Sequence, residues 1–341
     1  MAHHPDRDIA RIASAEDWQQ AEQAARQRHP ADGLVALAGA LRAAGSPTPL
    51  PALLKRINVA LTLRPQSPRP HLLAARAFVA AGLTAQAAGE YRLAAEKGAW
   101  TWLALSKEIA RRLTRPEDLA RAVPATPEAL RPLGNMVLLE DGARARRLAE
   151  LWLTTHPEEG SAHALRGQAC AKTADWACVT VEAEWLIAHD QPATGWALRG
   201  TQALRQGDRD TAIHALTALM ATDATEPALY AAVRLAEQLG DLPAARQAYD
   251  RLWRRVGARP EAARTLLVNR ARTEDRLGTP EQALRAWQTA HRHAPNKVTQ
   301  AGLTRAEARL RVGRKGSPKP PPLENSGNPA DLGPHPTAVE P

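Results

Sequence analysis

The side chains best suited to chemistry are few and scattered along the chain. Cys170 and Cys178 are its two cysteines, too few for a disulfide framework or a four-cysteine zinc site. We interpret them as small thiols buried at a helix interface; a redox pair is the alternative, unusual in a reducing cytoplasm. His291 and His293 are two residues apart and therefore point to different faces of a helix. The sequence predicts neither a metal site nor a cofactor.

Acidic and nucleophilic residues form no recognisable catalytic motif. The sequence contains no phosphate-binding glycine loop, nucleophile elbow or HExxH segment. Glu158 with Glu159, and Glu182 with Glu184, are adjacent or alternate, so neither pair converges on one substrate atom. We therefore expect a protein that is not an enzyme. A catalytic site assembled from distant segments is the less favoured alternative.

Positive charge is the main functional signal. The 341 residues include 45 Lys+Arg and 36 Asp+Glu, a formal net charge of +9. The whole excess lies in residues 251–312, which hold 14 basic and 5 acidic residues. Such a segment suits an acidic protein partner or, alternatively, a nucleic acid. Arg outnumbers Lys 38 to 7, which is typical of a GC-rich bacterial genome, and many of these arginines are also expected simply to solvate helix faces.

The composition predicts an all-α protein. Ala, Leu, Arg, Gln and Glu favour helices, whereas β-branched and aromatic residues are too sparse for a sheet. No run of about 18 uncharged apolar residues is present, and residues 1–18 lack the apolar stretch of a signal peptide. With only two cysteines, these features lead us to expect a cytoplasmic protein that does not insert into membranes.

A 33-residue period runs through the middle of the chain. Residues 164–167, Ala-Leu-Arg-Gly, recur at 197–200, and Gly207-Asp208 recurs as Gly240-Asp241. Gly278 follows, and each of these glycines is expected to adopt the left-handed turn between two helices. After each glycine an alanine, a bulky residue and a third residue occupy one helix face at i, i+4 and i+7. These triplets are Ala212, Leu216, Leu219; Ala245, Tyr249, Leu252; and Ala283, Trp287, Ala290.

This pattern resembles the tetratricopeptide repeat (TPR), a helix–turn–helix of about 34 residues. The best matches run from Trp196 to Leu219 and from Leu267 to Pro295, and Leu72 to Ala94 also fits well. The resemblance implies a right-handed α-solenoid of helix hairpins whose concave face is lined by the first helix of each hairpin. Trp196, Trp253 and Trp287 are expected to pack between helices rather than to stack on a ligand.

The resemblance also divides the chain into segments. We expect an N-terminal helical cap at 1–30, TPR-like repeats at 31–98, and further repeats with a C-terminal capping helix at 159–312. Residues 99–158 are read as irregular helical repeats, with a hinge between two sub-arrays as the alternative. Residues 313–341 are rich in Pro and Gly and poor in apolar side chains, so they are expected to form a disordered tail.

Carried over by register, the resemblance implies a row of exposed positions on the concave face. The Lys–Asn clamp that some relatives use for C-terminal carboxylates is not reproduced. We expect a scaffold or adaptor of a bacterial multiprotein assembly that binds an acidic partner segment in this groove; the alternative is a nucleic-acid-binding regulator using the basic C-terminal repeats. The expected groove residues are Gln168, Lys172, Arg205, Tyr230, Arg234, Asn269, Arg272 and Arg276.

Overall fold

The computed structural model describes residues 5–98, 102–126, 129–189, 191–222 and 225–316, with side chains as far as 312. Within these ranges the chain is helical throughout and contains no strand, which confirms the all-α class. The helices are α1 (Pro5–Ser14), α2 (Trp18–Arg28), α3 (Gly33–Ala44), α4 (Leu50–Leu63), α5 (Pro68–Ala80), α6 (Thr84–Glu96), α7 (Trp102–Arg112), α8 (Pro116–Ala122), α9 (Leu130–Glu140), α10 (Gly142–Leu153), α11 (Gly160–Lys172), α12 (Trp176–Ala188), α13 (Pro192–Gln206), α14 (Arg209–Ala221), α15 (Glu226–Leu239), α16 (Leu242–Val256), α17 (Pro260–Leu277), α18 (Pro280–His293) and α19 (Lys297–Gly316).

The chain divides into two compact units, and the division falls between Leu252 and Trp253. In the first unit, helices that follow one another pack as hairpins: α1 with α2, α3 with α4, α5 with α6, α9 with α10, α11 with α12, and α13 with α14. Each hairpin also packs on the next one along the chain, except that α7 and α8 lie between the α5–α6 and α9–α10 hairpins. This neighbour-on-neighbour packing is the arrangement of a helical solenoid, as the sequence predicts.

The predicted interface triplets are buried. All nine residues of the three triplets that follow Gly207, Gly240 and Gly278 are at most 4% exposed. The alanine lets the two helices of a hairpin approach closely, and the bulkier side chains fill the space beside it. The 33-residue period therefore predicts the core positions correctly.

Two of the three predicted glycine turns have the expected backbone. Gly207 and Gly240 lie in the left-handed region, with φ of 76° and 75°, and the aspartate after each caps the following helix. The prediction for Gly278 is wrong, because its φ is −92° and its ψ is 179°. Glycine is needed there for space, since a Cβ would lie 2.7 Å from the carbonyl oxygen of Glu274.

The interpretation of the cysteines as separate thiols is also wrong. Cys170 near the end of α11 and Cys178 in the first turn of α12 form a disulfide, with their Cα atoms 6.0 Å apart. The two cysteines flank the turn of one hairpin, as their positions in the sequence suggest, and the three-residue turn brings their side chains close enough to bond. The cytoplasmic location, which rested partly on cysteine usage, stays a prediction. Among the described residues, no helix has the length and apolar character needed to cross a bilayer.

The irregular segment 99–158 contributes helices α7 to α10. Helix α7 packs on α9, and α8 packs between α6 and α10. One buried cluster extends from Leu72 to Ala169 and includes side chains from all four of these helices. The segment thus shares its core with the hairpins on either side, although the boundaries assigned to it stay predictions.

The second unit contains the end of α16 together with α17, α18 and α19. Trp287, 1% exposed, lies at its centre among Leu267, Ala271 and Ala306. Helix α19 covers the segment predicted as a capping helix and continues to Gly316, through the first residues of the expected disordered tail; its capping role stays a prediction. The rest of that tail, 317–341, lies outside the described residues.

Candidate partner-binding surface

Basic side chains tie the ends of helices to other repeats. The last carbonyl groups of a helix have no partner within it and carry partial negative charge, so a cation there is favourable. Arg144 Nη2 donates to Ala110 O at 2.8 Å, near the end of α7. Arg209 Nη2 donates to Leu239 O, the last residue of α15, also at 2.8 Å. We call these contacts cross-repeat caps.

Lys172, one of the predicted groove residues, makes such a cap. Its Nζ donates to Leu138 O at 2.5 Å and to Leu139 O at 3.0 Å, in the last turn of α9. The side chain is exposed, yet its ammonium group is already held by its own protein. We therefore assign Lys172 to the linkage between hairpins rather than to a free binding surface.

Replacing Lys172 by methionine tests this assignment. The variant keeps the aliphatic stem but removes the cap, so we expect the free energy of unfolding to fall by about 1 kcal/mol. Lys107→Met is the matched control, because Lys107 is exposed on α7 and contacts no described acceptor. Urea denaturation measures both. If both substitutions lowered the free energy of unfolding equally, the assignment of Lys172 to the linkage between hairpins would be wrong.

Two other predicted residues of the first unit are exposed cations without a partner among the described residues. Arg205 lies near the end of α13 and Arg234 lies in α15, and these two helices pack together. Their neighbours in the predicted row, Gln168 and Tyr230, are half-buried. In the first unit Arg205 and Arg234 are therefore exposed and unpaired among the described residues, whereas Lys172 links two hairpins.

In the second unit the predicted residues lie along α17. Arg272 and Arg276 are exposed and Asn269 is half-buried. Arg272 has no hydrogen bond or ion pair with a described residue. The eight predicted groove residues are therefore split, five in the first unit and three in the second, and their joining into one row stays a prediction.

Two arginines of α19, not predicted from the sequence, extend the basic surface of α17. Arg309 Nη1 lies 2.6 Å from Asp275 Oδ1, and Arg305 Nε lies 3.4 Å from Oδ2 of the same carboxylate. Asp275 is only 15% exposed, whereas Arg305 and Arg309 are 60% and 44% exposed. Asp275 and Arg309 are 34 residues apart in the sequence, which is one repeat length, and this spacing is the sequence feature that could have indicated their contact. Asp275 thus holds two exposed arginines of α19 beside α17.

The described aromatic side chains at predicted interface positions are engaged in packing. Trp287 is buried, and Trp196 and Trp253 are half-buried. Trp196 meets His214 edge-on at 5.2 Å, and Trp253 meets His293 edge-on at 5.6 Å. These contacts agree with the structural role expected for the three tryptophans.

A buried ion cluster inside the α11–α12 hairpin escaped the sequence analysis. Glu182, 1% exposed, accepts hydrogen bonds from His163 Nδ1 and Arg166 Nε, both at 2.7 Å. The α5–α6 hairpin contains the equivalent pair at the same separation of 19 residues, His71 with Glu90 at 2.8 Å. The repeated spacing was the available signal. Both ion pairs join the two helices of a hairpin; Glu182 is buried, whereas the Glu90 side chain is 25% exposed.

One group of side chains in the described part has the proximity of metal ligands. The ligand atoms of Cys170, Asp175 and Cys178 lie within 4.8 Å of one another. The two sulfurs are bonded to each other, however, and Asp175 accepts from Cys178 N–H at 3.2 Å and from Arg146 Nη1 at 2.8 Å. The hydrogen bond from Cys178 N–H, followed by the one from Arg146, holds the pKa of Asp175 below its ordinary value. In this oxidised form the group has no free ligand pair for a metal.

Comparisons with known proteins return weak structural likeness. No family model matches the chain, and no curated protein matches it. The P58(IPK) TPR domain is 12% identical over 91% of this chain and 98% of that chain, with a TM-score of 0.26. The APC/C hetero-tetramer Cut9-Hcn1 is 14% identical over 89% of this chain and 48% of that chain, with a TM-score of 0.30. The repeat assignment rests on the helix hairpins and buried triplets described above.

Proposed function

We propose that this TPR-like array of helix hairpins is a non-catalytic scaffold that binds protein partners through acidic segments, within a bacterial assembly. The observation that carries the proposal is the set of exposed arginines on the first helices of hairpins, Arg205, Arg234 and Arg272, which have no described partner. A guanidinium offers a fork of N–H donors that matches a carboxylate, and such charge-assisted hydrogen bonds are short and directional.

Several arginines are needed because each contributes little. An exposed ion pair is worth about 0–1 kcal/mol, so useful affinity requires a segment that engages a row of them. Asp275 supports such a row in the second unit, since it fixes Arg305 and Arg309 in place beside α17. Side chains ordered before binding lose less conformational entropy when a partner arrives.

The packing of the aromatic side chains favours an acidic protein over a single-stranded nucleic acid. Binding of single strands usually combines a basic track with exposed aromatic rings on which bases stack. In the second unit Trp287 is buried and Trp253 packs against His293. The basic surface therefore has charge without a stacking platform, which suits carboxylates better than bases.

Charge reversal on α17 tests the proposal. We expect the double variant Arg272→Glu, Arg276→Glu to bind a fluorescent peptide of alternating Glu and Ser at least about tenfold more weakly than the native chain. Two lost ion pairs and two new repulsions account for that factor. The assay is fluorescence anisotropy at low salt, and the variant Arg205→Glu, Arg234→Glu tests the first unit in the same way.

The matched control reverses the same number of charges on the second helix of the hairpin. Arg285 and Arg292 are exposed on α18 and contact no described acid, so Arg285→Glu, Arg292→Glu should leave the affinity within about twofold. Equal losses in both variants would show nonspecific attraction and contradict the groove. Tighter binding of a single-stranded oligonucleotide of equal charge would favour the nucleic-acid alternative.

A further inference from the structure

The turn between α11 and α12 differs from its equivalents elsewhere in the array. In the turns that follow α5, α13 and α15, the left-handed residue is Gly82, Gly207 or Gly240, with φ of 75° or 76°. The equivalent residue after α11 is Ala174, with φ of 59°, the one positive-φ residue other than glycine in the described chain. The same turn is bridged by the Cys170–Cys178 disulfide.

The hydrogen bonds show that these turns are the same motif. Asp175 N–H donates to Cys170 O at 2.9 Å, just as Asp208 N–H donates to Ala203 O at 2.9 Å in the α13–α14 turn. This bond from the residue after the left-handed position, back over five residues, defines a common way of ending a helix. Alanine is unfavourable at the left-handed position because its Cβ crowds the following carbonyl oxygen. The α11–α12 turn therefore combines an unfavourable residue with a covalent bond across it.

We propose that Cys170–Cys178 is a reversible redox site, at which a dithiol reductant opens the α11–α12 turn and thereby weakens the link between two hairpins. This proposal does not depend on the partner-binding function. Cys170 is 0% exposed, whereas Cys178 is partly exposed at the third residue of α12. The sulfur of Cys178 is thus the one that an external thiolate reaches.

The exchange balances two electrons and two protons. A thiolate of the reductant attacks Cys178 Sγ, the bond to Cys170 Sγ breaks, and Cys170 leaves with the electron pair and takes up a proton. The second thiol of the reductant then attacks the reductant's first sulfur atom, which is bonded to Cys178 in the mixed disulfide, and this step releases Cys178. The protein ends as a dithiol and the reductant as a disulfide.

The consequence reaches beyond the turn through the last residues of α11. Lys172 holds the carbonyl groups of Leu138 and Leu139 at the end of α9. Once the disulfide opens, Ala174 can leave the left-handed region, and the last turn of α11 frays together with this cap. Arg146 on α10 still pairs with Asp175, so the hairpins stay associated but are coupled less tightly.

Hydrogen exchange on the full oxidised chain tests the proposal. Native protein is treated with dithiothreitol at neutral pH in the presence of EDTA, then alkylated and weighed by mass spectrometry. We expect two alkylations, and amide exchange at residues 173–175 at least about tenfold faster than in the oxidised protein. Oxidised glutathione should reverse both changes. No alkylation of the native chain, under conditions that alkylate the urea-unfolded chain, would overturn the proposal.

The variant Ala174→Gly distinguishes the effect of the turn conformation on amide exchange from the effect of the disulfide. With glycine the turn keeps its shape without covalent help, so the reduced variant should exchange within about twofold of the oxidised protein. The Cys170→Ser, Cys178→Ser variant should exchange as fast as the reduced native chain, and adding Ala174→Gly to it should restore slow exchange. Fast exchange in the reduced glycine variant, or unchanged exchange in the reduced native chain, would contradict the proposed role of the turn.

Discussion

Replacing Glu182 by alanine should lower the free energy of unfolding by about 3 kcal/mol, since a buried ion pair that loses one member leaves the other charge unpaired. Glu182 is 1% exposed and accepts hydrogen bonds from both His163 and Arg166. Its removal leaves the buried His163 with one acceptor, Pro157 O at 2.8 Å, and frees the guanidinium of Arg166. Urea denaturation followed by circular dichroism measures the loss.

Glu184, two residues away on the same helix, is the matched control. Its side chain is 64% exposed and pairs with Arg199 at 3.7 Å. An ion pair of this kind contributes little, so Glu184→Ala should change the free energy of unfolding by less than about 0.5 kcal/mol. If both variants lost the same stability, the buried cluster would not be the source of the effect.

The second large effect is expected at Gly302 in α19. A Cβ at this position would lie 2.4 Å from ring carbons of Trp287. Trp287 is 1% exposed among the packed side chains of the second unit, so the ring has no space to retreat. We expect Gly302→Ala to lower the free energy of unfolding by about 2–3 kcal/mol, because α19 must move away from α18.

A second glycine-to-alanine change gives the control for Gly302. Gly89 lies inside α6, and a Cβ there would meet nothing within 4 Å. The substitution should therefore stabilise the protein by about 0.5–1 kcal/mol, the usual preference for alanine within a helix. Thermal and urea denaturation of both variants give the comparison. Stabilisation by Gly302→Ala would show that α19 does not pack on Trp287 as described.

Core positions were predictable because they follow from periodicity alone. The nine triplet residues are buried as expected, since apolar residues at i, i+4 and i+7 must share one helix face. Gly278 shows the limit of that reasoning. A glycine at a repeat boundary is needed either for a left-handed backbone or because there is no room for a Cβ. At Gly278 only the position of Glu274 shows that the second reason applies.

Polar interactions within the array were not predictable to the same degree. His163 and Glu182 belong to different helices, and in a degenerate repeat each looks like a solvent-exposed residue. Lys172 was placed correctly on an exposed position, but its reach to α9 depends on a long side chain and on the spacing between hairpins. The disulfide likewise depends on the three-residue turn. Sequence periodicity predicts which residues share a helix face, whereas these contacts depend on the distances between side chains of different helices.

The cross-repeat caps have a consequence for how the array comes apart. In a linear repeat protein, cooperativity depends on the free energy of the interfaces between neighbours relative to that within each repeat. A helix end capped by Arg144 or Lys172 loses its cap when the donor's hairpin unfolds, so disorder in one hairpin lowers the stability of the one before it. A fragment of the protein that ends after a capped helix but before the residue that caps it should therefore fray at its new terminus. This fraying is expected even though every hydrophobic contact within the last hairpin of the fragment is intact.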